Sequence, residues 1–137
     1  MGARGFKNLE ASLSDFPIFL LNVITYFLDT GLHCVFVLDT EDLESTSMVG
    51  REGKGYAEFR SPAATVADDA RNMIVVDTRN HRLQLVQDDG TWLAMVKPAS
   101  GSPSPYARPC AAFLDTDMRE LYVCNKLAKS VVRCKLV

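Results

Sequence analysis

The sequence predicts an all-β protein: a partial β-propeller of about three four-stranded antiparallel blades. Three observations carry that expectation. Short apolar runs alternate with turn residues at intervals too short for helices, the pattern of successive antiparallel strands. The stretch DTRNHRLQLV (77–86) aligns without a gap on DTGLHCVFVL (29–38), so that Asp29, Thr30 and His33 fall on Asp77, Thr78 and His81. Finally, Pro62 and Pro109 open similar segments 47 residues apart, and Met48-Val49 and Met95-Val96 keep that spacing. A four-stranded meander repeated at such a period is the signature of a propeller blade.

Taken in order, residues 1–15 form an N-terminal extension, followed by the apolar run FPIFLLNVITYFL at 16–28. Its 13 residues fall short of the roughly 20 a membrane-crossing helix needs. Glu10, Asp15 and Asp29 flank it where an export signal would carry positive charge or a small-residue cleavage site. Its β-branched and aromatic content suits a buried strand, so residues 16–50 are expected to form a first, degenerate blade opening at Phe16-Pro17. Residues 51–97 form the clearest blade: AATVA, NMIVVD, RLQLV and TWLAMV, joined by the turns DDAR, TRNH and QDDG. Gly90 supplies the positive φ that the last of these turns demands. Residues 98–137 read as an incomplete blade that keeps the strands LYVC and VVRCKLV and stops after its third.

Composition narrows the function classes. A chain of 137 residues with 47% hydrophobic content is ample for a packed core, so disorder is not expected. The formal net charge of −2 supplies no global attraction for nucleic acid, and any such affinity must come from charge segregated onto one face. Cys34, Cys110, Cys124 and Cys134 show no CxxC pairing and no nearby histidine, which argues against a structural zinc site. They are expected to be reduced, partly buried thiols in a cytoplasmic protein that engages no membrane.

The stretch FRSPAATVADDARNMIVVDTRNHRLQLVQDDGTWL closely resembles the NHL repeat. The matching residues are Pro62, Val75, Asp77, Asn80, His81, Arg82, Leu83 and Gly90, and the match spans 50–96. The third unit departs from it: Cys124 stands where Asp is expected, and LAKS replaces the Asn-His-Arg core. The first unit keeps Asp29 and His33 without the Asn and Arg. The resemblance implies a six-bladed ring, which at this period needs roughly 260 to 280 residues. Half a ring leaves two apolar blade faces uncovered. The chain is therefore expected to be a fragment of a longer product or to self-associate. The resemblance further implies a module like the C-terminal domains of tripartite-motif proteins, which bind RNA or partner proteins and belong to ubiquitin ligases. The chain has no Cys/His ladder of the kind a RING requires, so ligase activity would belong only to a longer parent.

Blade topology sorts the loops onto two ends. Turns joining second to third strands, and links between blades, share one end. That end collects Arg51, Lys54, Tyr56, Arg60, Arg79, His81, Lys97, Tyr106, Arg108, Lys126 and Lys129, opposed by Glu52 and Glu58. The other end collects Glu41, Asp42, Glu44, Asp68, Asp69, Asp88, Asp89, Asp115, Asp117 and Glu120 and is expected to be acidic. Cations interleaved with aromatic rings suit single-stranded RNA, in which phosphates meet Lys or Arg and unpaired bases stack. Asp77 and Asn80 are expected to bond their own turn backbone, and Arg82 to pair with Asp77 or a neighbouring blade. Arg79 and His81 have no comparable duty and are the leading contact residues, whereas Trp92 is expected to pack. Catalysis, metal and cofactor are not expected: the two histidines lack the third ligand a catalytic metal wants, and no GxSxG elbow or P-loop appears. The alternatives are a protein-interaction scaffold without RNA affinity and a remnant of an NHL-type lyase.

Overall fold

The computed structural model describes residues 24–39, 46–98 and 106–136. They form ten strands in three antiparallel sheets, with no α-helix among the described residues. The first sheet contains β1 (Ile24–Asp29), β2 (Cys34–Asp39) and β3 (Thr46–Val49). The second is a complete four-stranded meander of β4 (Ala64–Ala67), β5 (Asn72–Asp77), β6 (Arg82–Gln87) and β7 (Trp92–Met95). The third contains β8 (Pro109–Asp115), β9 (Glu120–Asn125) and β10 (Ser130–Lys135). Neighbouring sheets pack face to face in chain order, as in a partial β-propeller.

The middle sheet has the expected strands almost residue for residue. Gly90 adopts a φ of 93° in the turn before β7, where a side chain would be strained. In the first sheet, β1 to β3 align with β5 to β7. The opening strand expected near Phe16-Pro17 lies outside the described residues, as do residues 1–15.

The middle strands are apolar on both faces because both faces are covered. Met73, Val75 and Val86 turn toward the first sheet and pack with Val35, Val37, Val49 and Phe59. Ile74, Val76 and Leu83 turn the other way and pack with Tyr106, Leu121, Val123 and Cys134. Successive strand residues alternate faces, so the part of a strand between two neighbours must be apolar at every position, and MIVV (73–76) is. Each fully buried aliphatic side chain contributes about 1.5–3 kcal/mol relative to exposure.

The third sheet corrects the sequence alignment at one position. A bulge shifts the β8–β9 register between Pro109 and Ala111, so Pro109 pairs with Asn125 and Ala111 with Cys124. Beyond the bulge Ala111 still stands 47 residues after Ala64, whereas Cys124 stands 48 after Val76, so the residue that moves the repeat offset lies in the turn between β8 and β9. Asn125, which is buried, therefore takes the place of Asp77, and Cys124 lies exposed on the opposite face. No helix among the described residues is long and apolar enough to cross a membrane.

Met73 and Leu83 are each inaccessible to solvent, on opposite faces of the middle sheet. Met73→Ala and Leu83→Ala should each lower unfolding free energy by about 2–5 kcal/mol in urea titrations, whereas exposed Met118→Ala should change it by less than about 0.5 kcal/mol.

Candidate functional site

The turn between β5 and β6 organises one end of the molecule. Thr78–Asn80 form a single 3-10 turn, closed by His81 in the left-handed region at φ 53°. Asp77, at the end of β5, is fully buried. Its Oδ1 accepts the Arg60 N–H at 2.7 Å. Its Oδ2 accepts Arg82 Nε at 2.7 Å, Asn80 Nδ2 at 2.9 Å and Gln84 Nε2 at 3.2 Å. Arg82 then donates to the carbonyls of Lys54, Gly55 and Glu58, Asn80 to that of Gly53, and Gln84 to that of Glu58. The link entering the blade is thus clamped by side chains of the turn. The pairing of Arg82 with Asp77 matches expectation. The expectation that Asp77 and Asn80 serve their own turn backbone is corrected, because their bonds reach the link, each other and the β6 side chains of Arg82 and Gln84.

The histidines have a structural duty that sequence reasoning missed. His33 Nδ1 accepts the Ser61 N–H at 2.8 Å, and His81 Nδ1 accepts the Arg108 N–H at 3.0 Å. A backbone N–H can only donate, so each ring is neutral with its proton on Nε2. Each histidine latches its turn to the residue before the proline that opens the next sheet. Ser61 and Arg108 hold φ of 45° and 49°, a conformation that costs a residue with a side chain of order 1–3 kcal/mol. The latch helps to hold that strained entry.

These latches wall a cavity of about 400 Å³ lined by His33, Glu52, Arg60, Ser61, Arg79, His81 and Arg108. Three guanidinium groups face one carboxylate. Among the described residues, the side chains of Arg60, Arg79 and Arg108 make no hydrogen bond or ion pair. The cavity is therefore basic and its cations are uncommitted. Of the residues expected at this end, Arg60, Arg79, His81 and Arg108 meet here. Lys126 and Lys129 are exposed on the β9–β10 turn, which the Lys126 N–H ties to the Arg108 carbonyl at 3.1 Å. Lys97 is exposed just beyond β7.

The remaining expected contacts stand elsewhere. Arg51 is paired with Glu58 at 3.0 Å. Lys54 is exposed, and its carbonyl is held by Arg82. Tyr56 is exposed but stacks on Trp92, with centroids 4.2 Å apart, so one face of its ring is already covered. Trp92 packs against the first core cluster as expected, with a buried Nε1 that has no hydrogen-bond partner among the described residues. Tyr106 is a correction: it is buried between the second and third sheets, its hydroxyl 3.3 Å from Cys134 Sγ. Burial, and then that contact, push its hydroxyl well above the ordinary tyrosine range. An aromatic residue beside a basic loop reads alike whether it faces solvent or core, and only the packing separates the two.

The opposite end is less acidic than expected. Asp88 is buried and pairs with Arg71, and it also accepts from the Tyr26 hydroxyl of β1 at 3.2 Å. Arg71 and Arg119 close the β4–β5 and β8–β9 turns in the left-handed region, at φ 65° and 54°. Burial would raise the Asp68 carboxyl, but bonds from Asn72 and Ala70 outweigh it and hold the group below the usual carboxylate range. Glu41, Asp42 and Glu44 lie outside the described residues. No known family model matches the chain, and no curated protein matches it.

Two measurements check the clamp. Asp77→Ala leaves the Arg82 guanidinium without its carboxylate and should cost about 3–5 kcal/mol of unfolding free energy; His81→Ala orphans one backbone N–H and should cost about 1–3 kcal/mol. Glu58 is held below its ordinary 4.5 by the Gly55 N–H and then by Arg51. Its contribution to stability is complete above the unfolded value and lost as pH falls through the folded one. Glu58→Gln should therefore flatten the stability profile between about pH 5 and pH 3, measured by chemical denaturation across that range.

Proposed function

We propose that the chain is an NHL-type propeller segment, half of a six-bladed ring, that acts as a non-catalytic module binding single-stranded RNA through its basic end. The observation that carries this reading is the cavity itself: three guanidinium groups without side-chain partners among the described residues, beside two neutral histidines. Uncommitted arginines walled in by rigid latches suit phosphate oxygens, which accept paired N–H donors. Lys126 and Lys129 extend the basic surface beyond the cavity, as a strand of several nucleotides would require. Tyr56, exposed and covered on one ring face by Trp92, offers a stacking position outside the cavity. In a longer parent with a RING, the module would supply recognition to a cytoplasmic ubiquitin ligase.

A second reading, a protein-binding scaffold, draws on Phe113 and Val131, which are both 64% exposed on the third sheet. The experiment is fluorescence anisotropy with a labelled single-stranded RNA of mixed sequence at increasing salt. Affinity should fall steeply with salt, and Arg79→Glu with Lys126→Glu should weaken it at least tenfold and reduce the salt slope by about 1–2. Binding unchanged by the double substitution, or no measurable RNA affinity, would sink the RNA reading.

A further inference from the structure

We propose that Cys110 and Cys124 form a redox-reactive dithiol site on the outer face of the third sheet, which a hydroperoxide closes into a cross-strand disulfide. The two residues stand 14 apart in sequence, and the bulge in β8 unites them. Cys110 is the extra residue between the Pro109–Asn125 and Ala111–Cys124 pairs, so it shares the position opposite Cys124. The Cys110 thiol already lies 3.6 Å from the Cys124 carbonyl oxygen. Residues opposed across an antiparallel pair have Cα atoms about 4.5–5.5 Å apart, inside the roughly 4.4–6.8 Å range a disulfide spans. Closing the bond needs the Cys110 side chain to swing from that carbonyl to the neighbouring sulfur, with the strands kept in register.

Accessibility separates this pair from the other two thiols. Cys110 and Cys124 are exposed, whereas Cys34 and Cys134 are buried. In the chain by itself, with no further sheet against this face among the described residues, oxidants in solution reach the first pair and not the second, so reactivity is confined to one place in the fold. In the first step one thiolate attacks the terminal oxygen of the hydroperoxide. The O–O bond breaks, the alkoxide leaves and takes up a proton, and the sulfur becomes a sulfenic acid. The second thiol then attacks that sulfur, forming the S–S bond and releasing water. The protein gives up two electrons and two protons, and the hydroperoxide is reduced to alcohol and water. The bond would staple β8 to β9 two residues beyond Arg108, where His81 latches the strand entry.

The test treats the folded chain with a small excess of hydrogen peroxide, then alkylates it and measures intact mass and tryptic peptides. The expected product is lighter by two hydrogens and has lost both thiols that alkylate in the native state. After unfolding, Cys34 and Cys134 still alkylate. Trypsin should release the peptide ending at Arg119 joined to Glu120–Lys126 by a bond that dithiothreitol breaks. Cys110→Ser and Cys124→Ser should each abolish the link and leave a sulfenic acid on the remaining thiol, trapped by a dimedone probe. Three results would overturn the proposal: independent oxidation of the two sulfurs in the unsubstituted chain, a disulfide between two chains, or no oxidation of either.

Discussion

A carboxylate removed from water must be satisfied by donors, and the fully buried Asp77 is satisfied by four. Much of the molecule's organisation follows from that requirement. The Arg60 N–H comes from the link, the Asn80 amide from the turn, and the Arg82 and Gln84 side chains from β6. Each of these side chains then spends its other donors on carbonyls between Gly53 and Glu58. The link from Gly53 to Arg60, outside the named strands, is thereby tied to a single buried charge. The polar backbone groups of an irregular segment need partners wherever water is excluded, and here they find them in the side chains of the adjoining turn.

The same device recurs in weaker form. Asn125 accepts the Ala107 N–H at 3.2 Å, as Asp77 accepts that of Arg60. The surrounding arginine and glutamine are replaced, however, and a neutral amide suffices because there is no guanidinium to answer. At the opposite end the pair Tyr26 and Asp88 has Ile74 and Leu136 at the equivalent positions of the next junction, both in its apolar cluster. One junction is joined by a hydrogen bond and the other by packing, on the same backbone frame. Repeats tolerate such exchanges because each sheet contacts only its neighbours.

Structural and functional roles meet in the β5–β6 turn. The ring of His81 is tied by Nδ1 to the next strand entry, while Arg79, two residues earlier, keeps its guanidinium uncommitted in the cavity. Rigid backbone around unpaired cations is what a binding site needs, since ligand contacts then require little ordering. The exposed outer face of the third sheet differs in kind. There Phe113 and Tyr122 lie with ring centroids 6.4 Å apart beside the thiols of Cys110 and Cys124, without a covering sheet among the described residues.

Alternation and turn chemistry alone determined the strands of the middle sheet, because each strand's apolar residues and each turn's Asp, Gly or Asn are local signals. NMIVVD, RLQLV and QDDG needed no knowledge of their neighbours. The offset that pairs Asp29 with Asp77 was equally visible, and so was the segregation of basic residues onto the loops at one end. Tertiary structure decided everything that depends on which face a side chain takes or what lies across a gap. It placed Tyr106 in the core, gave Asn125 the position assigned to Cys124 through one extra residue in the β8–β9 turn, and turned His33 and His81 into latches. It also brought Arg60 and Arg108 to Arg79 across two links, and Cys110 to Cys124 across two strands. Periodicity is written along the chain, whereas burial, register and convergence arise only when distant segments share space.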